Sequence, residues 1–321
     1  MDNFDKLKQQ IESAQTIAVL THVNPDGDTL GSALALKFAI ENVFAKKPNV
    51  VLNSHIPEIY KFLPGINETV HTSKLNLNKQ YDLAIAVDIA SKERMGHSLP
   101  IFQNAKVTVN IDHHVTNNDY GAINYNCKSV SSTGELIYNI LRHFEWDIDK
   151  NIATALYTAV CTDTGNFRYE NTSAATLKTA SELVRYGAVP FEVSRYCYGS
   201  KPKAMVMLSA FCINNAVFLE NDKIVYSVLT DADMKKMNAE NDFTEGIVET
   251  LREIKTTDVA ILFKEVKSDQ TKVSLRSKTI DVSEISAKFD GGGHKHAAGC
   301  TINKPVKIAV EKILDTIKEK M

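Results

Sequence analysis

Lys106-Val-Thr-Val-Asn-Ile111 is a β-branched run, and Asp112-His113-His114 follows it at once. The run reads as a buried strand, and a strand that ends in one acid and two imidazoles places reactive groups at a sheet edge. The arrangement recurs along the chain. Thr16-Ile-Ala-Val-Leu20 leads into His22-Val-Asn-Pro-Asp26-Gly-Asp28, and Asp82-Leu-Ala-Ile-Ala-Val87 leads into Asp88. A helical pattern over Ile152 to Thr162 leads into Asp163. Strands are expected at 16–21, 49–53, 82–88 and 106–111, and helices at 29–45, 132–145, 151–162 and 173–187. This alternation predicts an α/β fold with a doubly wound, mainly parallel sheet. Ligands of such sheets collect beyond the carboxyl ends of the strands, where three of the four clusters fall.

Residues 188–215 break the pattern with Gly187 at their edge and Pro190, Gly199 and Pro202 within, and Arg195, Lys201 and Lys203 make them locally basic. They read as a connection between a catalytic domain, 1–187, and a second domain, 216–321. The second domain shows strand patterns at 223–229, 258–266 and 271–277. Helical patterns cover 244–254, 282–290 and 305–320, with a glycine-rich turn before the last, so a smaller α+β domain is expected.

With 321 residues, 44% of them hydrophobic, the chain can bury a large core. No apolar run is long enough to span a bilayer, and the charged start Met1-Asp-Asn-Phe-Asp-Lys6 is unlike a signal peptide, so a cytoplasmic protein without membrane contact is expected. Five scattered cysteines with no Cys-x-x-Cys support neither a disulfide framework nor a thiolate zinc site; they read as buried small residues. A net charge of −2 argues against an extended basic surface for long nucleic acid.

Pro25 and Gly27 interrupt any helix there, so His22, Asp26 and Asp28 are expected to project from one tight loop. Neighbouring carboxylates repel unless a cation neutralises them. With Asp88, Asp163 and one imidazole of the 113–114 pair, the set reaches four carboxylates and two imidazoles, enough for two divalent ions sharing a bridging carboxylate. Each cluster alone is an ordinary turn, cap or strand end; their coincidence at strand ends of one βα domain argues for metal. Oxygen and nitrogen donors without thiolate favour Mn²⁺, with Mg²⁺, Co²⁺ and Zn²⁺ as alternatives. Such a pair of ions suits hydrolysis of a phosphoester or phosphoanhydride. Asp290-Gly-Gly-Gly-His294-Lys-His296 offers backbone N–H groups and positive charge to an anion, and Arg276, on a strand pattern, could fork onto a phosphate.

His22-Val-Asn-Pro-Asp26-Gly-Asp28, Val87-Asp88, Asp112-His113-His114 and Thr162-Asp163-Thr-Gly165-Asn-Phe167-Arg168-Tyr169 resemble, in order, the four motifs of the DHH phosphoesterase superfamily. Ser274-Leu-Arg276-Ser-Lys278 and Gly291-Gly-Gly-His294 with Ala297-Ala-Gly299 resemble its C-terminal associated domain. Within the superfamily the chain is most similar to the NrnA type, the bifunctional oligoribonucleases and pAp phosphatases. That resemblance implies Mn²⁺-dependent hydrolysis of very short oligoribonucleotides to mononucleotides and removal of the 3′-phosphate of pAp, in a cleft shared by both domains.

By motif it implies His22, Asp26 and Asp88 as ligands of one metal and Asp28, Asp88, His113 and Asp163 as ligands of the other. His114 would face the scissile phosphate, and Arg94 would contact phosphate. Arg276, Gly291, Gly292, Gly293 and His294 would grip the far end of the substrate. Asp112 is expected to orient its neighbours. One departure is visible: Ala159 stands where the superfamily more often has glycine, which should alter packing behind Asp163 and leave ligation intact. Three alternatives stay open: a phosphodiesterase for linear pApA, an exopolyphosphatase-like enzyme, and a silent nucleotide sensor. No protein partner is implied, and homo-oligomerisation is left open.

Overall fold

The computed structural model describes residues 4–320, and the chain divides after Ser200 into two compact units. The first contains α1 (Asp5–Ser13), β1 (Ile17–Leu20), α2 (Gly27–Phe44), β2 (Asn49–Leu52), β3 (Val70–His71), β4 (Leu83–Val87), α3 (Leu99–Asn104), β5 (Val107–Asp112) and β6 (Ile123–Asn126). It continues with α4 (Thr133–His143), α5 (Lys150–Asp163), α6 (Ala174–Arg185), α7 (Pro190–Ser194) and a π-helical turn, Arg195–Gly199. The strands form one sheet in the order β3-β2-β1-β4-β5-β6, and every pairing is parallel. The expected doubly wound α/β class is therefore present, and the order reverses between β1 and β4.

Strand side chains alternate between two cores. Ile17, Val19, Ile85, Val109 and Ile111 face a core shared with α2, α4 and α5. Ala18, Leu20, Ala84 and Ala86 face the other side, against Met95, Ile101 and Phe102. Both faces are covered, which is why these strands read as continuous apolar runs. Ser132, Asp149 and Ser173 cap α4, α5 and α6 through their side chains.

The second unit contains α8 (Lys203–Asn214), β7 (Val217–Leu219), β8 (Ile224–Leu229), α9 (Asp231–Lys236), α10 (Ile247–Arg252), β9 (Val259–Lys267), β10 (Gln270–Ser277), α11 (Val282–Ala287), β11 (Gly292–His294), β12 (Ala297–Ile302) and α12 (Val306–Lys318). Its sheet runs β11-β12-β10-β9-β8-β7, antiparallel except for β8 beside β9. One face, with Ile261, Phe263, Val273, Leu275 and Cys300, packs on Ile285 of α11 and on Ile313 and Ile317 of α12. On the opposite face Val225, Ala260 and Leu262 pack with Leu208 of α8 and Leu251 of α10.

Three readings change. The glycine-rich turn is a strand, β11, paired to β12, because the pairing partner outweighs glycine's poor strand preference. Residues 188–215 are largely helical: Val193 and Cys197 join the first unit's core, and Leu208 and Cys212 join a core of the second. Asp28 lies in the first turn of α2 instead of a loop, since Asp26 caps that helix. All five cysteines are free; four are buried and Cys127 is partly exposed. No described helix is long and apolar enough to cross a membrane.

Helices α2 and α5 approach through Gly31, where an added Cβ would lie 2.3 Å from the carbonyl oxygen of Ala155 and 3.1 Å from the Cβ of Ala159. Helix propensity favours Gly31→Ala by about 1 kcal/mol. The obstacle is backbone, so overpacking of about 1–3 kcal/mol prevails. Gly31→Ala is expected to lower the thermal midpoint by several degrees; an unchanged or raised midpoint in a melt would refute the close approach.

Candidate metal centre

Because β1, β4 and β5 are neighbours, the segments after them emerge side by side at the switch in strand order. His22 stands two residues beyond Leu20, Asp88 directly beyond Val87, and Asp112 at the end of β5. His22 Nδ1 lies 2.8 Å from the carbonyl oxygen of Val23. A carbonyl can only accept, so Nδ1 carries the proton and Nε2 is the coordinating nitrogen. That Nε2 stands 3.6 Å from Asp26 Oδ1 and 3.5 Å from Asp88 Oδ2.

The backbone N–H of Asp88 still pairs with Ile111, after which the residue turns into the left-handed region at φ 58°. This kink, costly for most side chains, lays the carboxylate over the strand ends. On the far side, His113 Nε2 lies 3.7 Å from Asp88 Oδ1, 3.7 Å from Asp28 Oδ2 and 3.6 Å from Asp163 Oδ2. Asp163 closes α5, and Gly165, Asn166 and Phe167 after it are all left-handed. The chain thereby folds back, and Asn171 Nδ2 reaches the Asp163 carbonyl at 3.2 Å.

Separations of 3.5–3.7 Å are too long for good hydrogen bonds. They are near the roughly 3.0–3.4 Å expected between ligands that each sit about 2.1 Å from a shared ion. Two donor groups result, His22–Asp26–Asp88 and Asp28–His113–Asp163, and Asp88 turns one oxygen to each. All donors are oxygen or imidazole nitrogen, so the residues present fit hard or borderline divalent ions. His114 also lies within ligand range of Asp88 and His113, but its Nδ1 is 2.7 Å from Asp112 Oδ1. Buried Asp112 accepts from the backbone N–H groups of His113 and His114 and from Asn117 Nδ2, so it orients its neighbours and stands outside the two donor groups.

Electrostatics reflect the crowding. Burial, then the charges of Asp88, Asp163 and Asp26, push the Asp28 carboxyl well above the usual range. Burial, then Asp88 and Asp26, do the same to Asp163. For His22 burial opposes the charged form, yet Asp26 and Asp88 together raise it to about 10. His114 rises to about 9 against burial through Asp112 and Asp88. His113, with burial dominant, is lowered. The guanidinium of Arg94 is exposed and, after burial and His22, is among the groups that set the Asp26 charge.

Sequence reading missed the second layer around these ligands. Asp28 accepts from the N–H groups of Thr133 and Gly134 and from Ser32 Oγ. The signal for α4's start was present in Ser132-Thr-Gly-Glu135, but nothing local pointed it toward a carboxylate 105 positions earlier. The remaining expected residues lie in the second unit. Arg276 Nε and Nη2 contact Glu249 Oε1 at 2.8 and 2.7 Å. Arg276 stands opposite Ala297, which stands opposite His294, so both side chains share one sheet face about 10 Å apart. Gly292 and Gly293 are exposed in β11, and Gly291 precedes it. An added Cβ at Gly293 would meet the Ala297 carbonyl at 2.4 Å, with φ +143°.

Acidic and imidazole donors that could hold metal, gathered over the switch point of a parallel α/β sheet, are the arrangement of a DHH-fold protein. Residues 16–160 match the model of the DHH family N-terminal domain and residues 221–321 that of the DHHA1 domain, and the chain belongs to this family. It is 29% identical over 303 residues to the probable bifunctional oligoribonuclease and PAP phosphatase NrnA of Streptococcus mutans, covering 93% of each chain. It is 28% identical to the NrnA of Bacillus subtilis, covering 92% of each. A crystal structure of an exopolyphosphatase-related protein from Bacteroides fragilis superposes with a TM-score of 0.92 at 24% identity, covering 98% of this chain and 95% of the other, which establishes the fold.

Groups whose pKa is raised on folding stabilise the protein below their unfolded values, and that stability is lost as pH climbs through the folded ones. Asp28, Asp163, His22 and His114 are all of this kind. His113 has the opposite sign and acts below about pH 6.5. Metal-free protein is therefore expected to lose thermal stability between about pH 6.5 and 9. A divalent ion needs the deprotonated ligands, so Mn²⁺ should raise the midpoint more at the alkaline end. Melts with chelator and with Mn²⁺ test this, and equal increments at both pH values would contradict it.

Proposed function

We propose that the protein is a metal-dependent phosphoesterase that degrades short oligoribonucleotides to mononucleotides and dephosphorylates pAp. The observation that carries the reading is Asp88, whose two oxygens face two separate donor groups in the manner of a bridging carboxylate. The NrnA relatives of matching length supply the substrate class. In this reading His22, Asp26 and Asp88 would hold one ion and Asp28, Asp88, His113 and Asp163 the other, with Mn²⁺ the best match to the donors. Such ions would supply the Lewis acidity that activates water and offsets charge on a phosphoryl group in line with it.

The chain's own residues do the rest. His114, held by Asp112 and raised to about 9, is cationic at neutral pH and offers charge or a proton to the phosphate being cleaved. Arg94, exposed beside the charge of Asp26, is placed to meet an incoming phosphate. Residues 1–187 would form the catalytic domain and 216–321 the substrate-binding one. There Arg276 and the exposed Gly291–His294 segment would take a terminal phosphate or nucleotide, with Arg276 exchanging Glu249 for the anion.

A product assay with Mn²⁺ over an RNA length series, together with pAp, linear pApA and polyphosphate, decides among substrates. Mononucleotides from di- to pentamers and AMP from pAp are expected. Turnover of polyphosphate alone would overturn the proposal. Asp88→Asn keeps the side-chain shape and removes the bridging charge; it should cost more than about a thousandfold in kcat, the several kcal/mol that metal stabilisation is worth. Since it also relieves repulsion, its metal-free melting point should match or exceed the parent's. Near-normal turnover would sink the bridging role.

A further inference from the structure

Two of the candidate ligand carboxylates are held by one short segment, Ser131-Ser-Thr-Gly-Glu135, at the start of α4, and the backbone of a third is tied to it through Asn171. The N–H groups of Thr133 and Gly134 donate to Asp28 Oδ2 at 2.8 Å and Oδ1 at 2.9 Å. Thr133 Oγ1 donates to Asp88 Oδ1 at 3.1 Å. The Ser131 carbonyl accepts from Asn171 Nδ2 at 2.9 Å, and that same amide meets the Asp163 carbonyl. Asp28, Asp88 and Asp163 come from three distant parts of the chain, yet one turn bonds the carboxylates of the first two and, through Asn171, the main chain of the third.

The turn is itself locked in place. Glu135, 3% exposed, accepts from the N–H and hydroxyl of Ser131 and, at 3.0 Å, from Thr176 Oγ1 at the start of α6. Ser132 Oγ accepts from the Glu135 N–H, closing the cap. Gly134 seats the turn against α5, where an added Cβ would stand 2.4 Å from the Cβ of Ala159. Ala159, the departure noted in the sequence, thus forms the wall behind the turn.

We propose that Thr133 is a positioning residue for the bridging carboxylate, and that residues 131–135 template the ligand set before any ion binds. A carboxylate rotates broadly about its last torsion. One hydroxyl on Oδ1 fixes the plane of Asp88, so that Oδ2 faces His22 while Oδ1 keeps a lone pair toward His113. The same residue's N–H fixes Asp28, so the two carboxylates are set relative to each other by one rigid unit. The inference rests on reading Asp88 as a metal bridge.

Thr133→Val removes the hydroxyl and keeps the shape; Thr133→Ser keeps the hydroxyl. Calorimetric Mn²⁺ titration of the full chain is expected to give a dissociation constant raised about tenfold in Thr133→Val, the usual cost of losing a group behind a ligand. In Thr133→Ser it should remain within about twofold. For pAp, Thr133→Val should lower kcat and leave KM within about twofold. A Thr133→Val protein with lowered melting point but parental Mn²⁺ affinity would make Thr133 merely structural and overturn the proposal. Failure of the parent protein to bind Mn²⁺ would instead sink the metal reading on which it rests.

Discussion

Repulsion among carboxylates gathered at one crevice is the constraint around which the first unit is built. The charges of Asp88 and Asp26 raise the cost of ionising both Asp28 and Asp163, and Asp28 and Asp88 are almost fully buried. Such a group is tolerable only with fixed donors around it and a cation within it. The fold supplies the donors. The first turn of α2 serves Asp26, the first turn of α4 serves Asp28, and the strand order β1-β4-β5 brings both within reach of the imidazoles. A sheet with its order reversed elsewhere would scatter the same residues over separate crevices.

The second unit is built differently. Its sheet packs α11 and α12 on one face and α8 and α10 on the other, where β11, the row of Arg276 and His294, and the glycines beside them stay at least partly exposed. Here the backbone of Gly292 and Gly293 is accessible. The first unit concentrates charge in buried positions; in the second, partly exposed Arg276 is paired with Glu249.

Much of this is legible in the sequence because strands that all run parallel put the residues after their carboxyl ends at one rim. Asp88 and His113 could be placed from Asp82–Val87 and Lys106–Ile111 alone, and the α/β class followed from the alternation. Other features lost to competing physics. Asp26 was read as a loop ligand when its helix-capping geometry, with Thr29 three positions on, makes it both cap and candidate ligand. Pro190 and Pro202 were read as breaks, yet they sit at helix starts, where proline costs no hydrogen bond. Gly292 and Gly293 were read as a turn because β12, which pairs with them, carries an ambiguous small-residue sequence. Thr133 was invisible because its partners lie 45 and 105 positions away, and no periodicity records a contact of that kind.

The left-handed backbone of Asp88 limits the side chains that this position can carry. Glutamate, histidine and cysteine can all ligate a metal, but each would have to bear the conformational cost of φ 58° there, and glutamate would in addition overshoot the crevice. Aspartate, asparagine and glycine visit that region readily, and of these only aspartate carries a charge. The main chain therefore narrows the side chains that fit residue 88 without strain to aspartate, asparagine and glycine, and only the first of these brings a negative charge to the crevice.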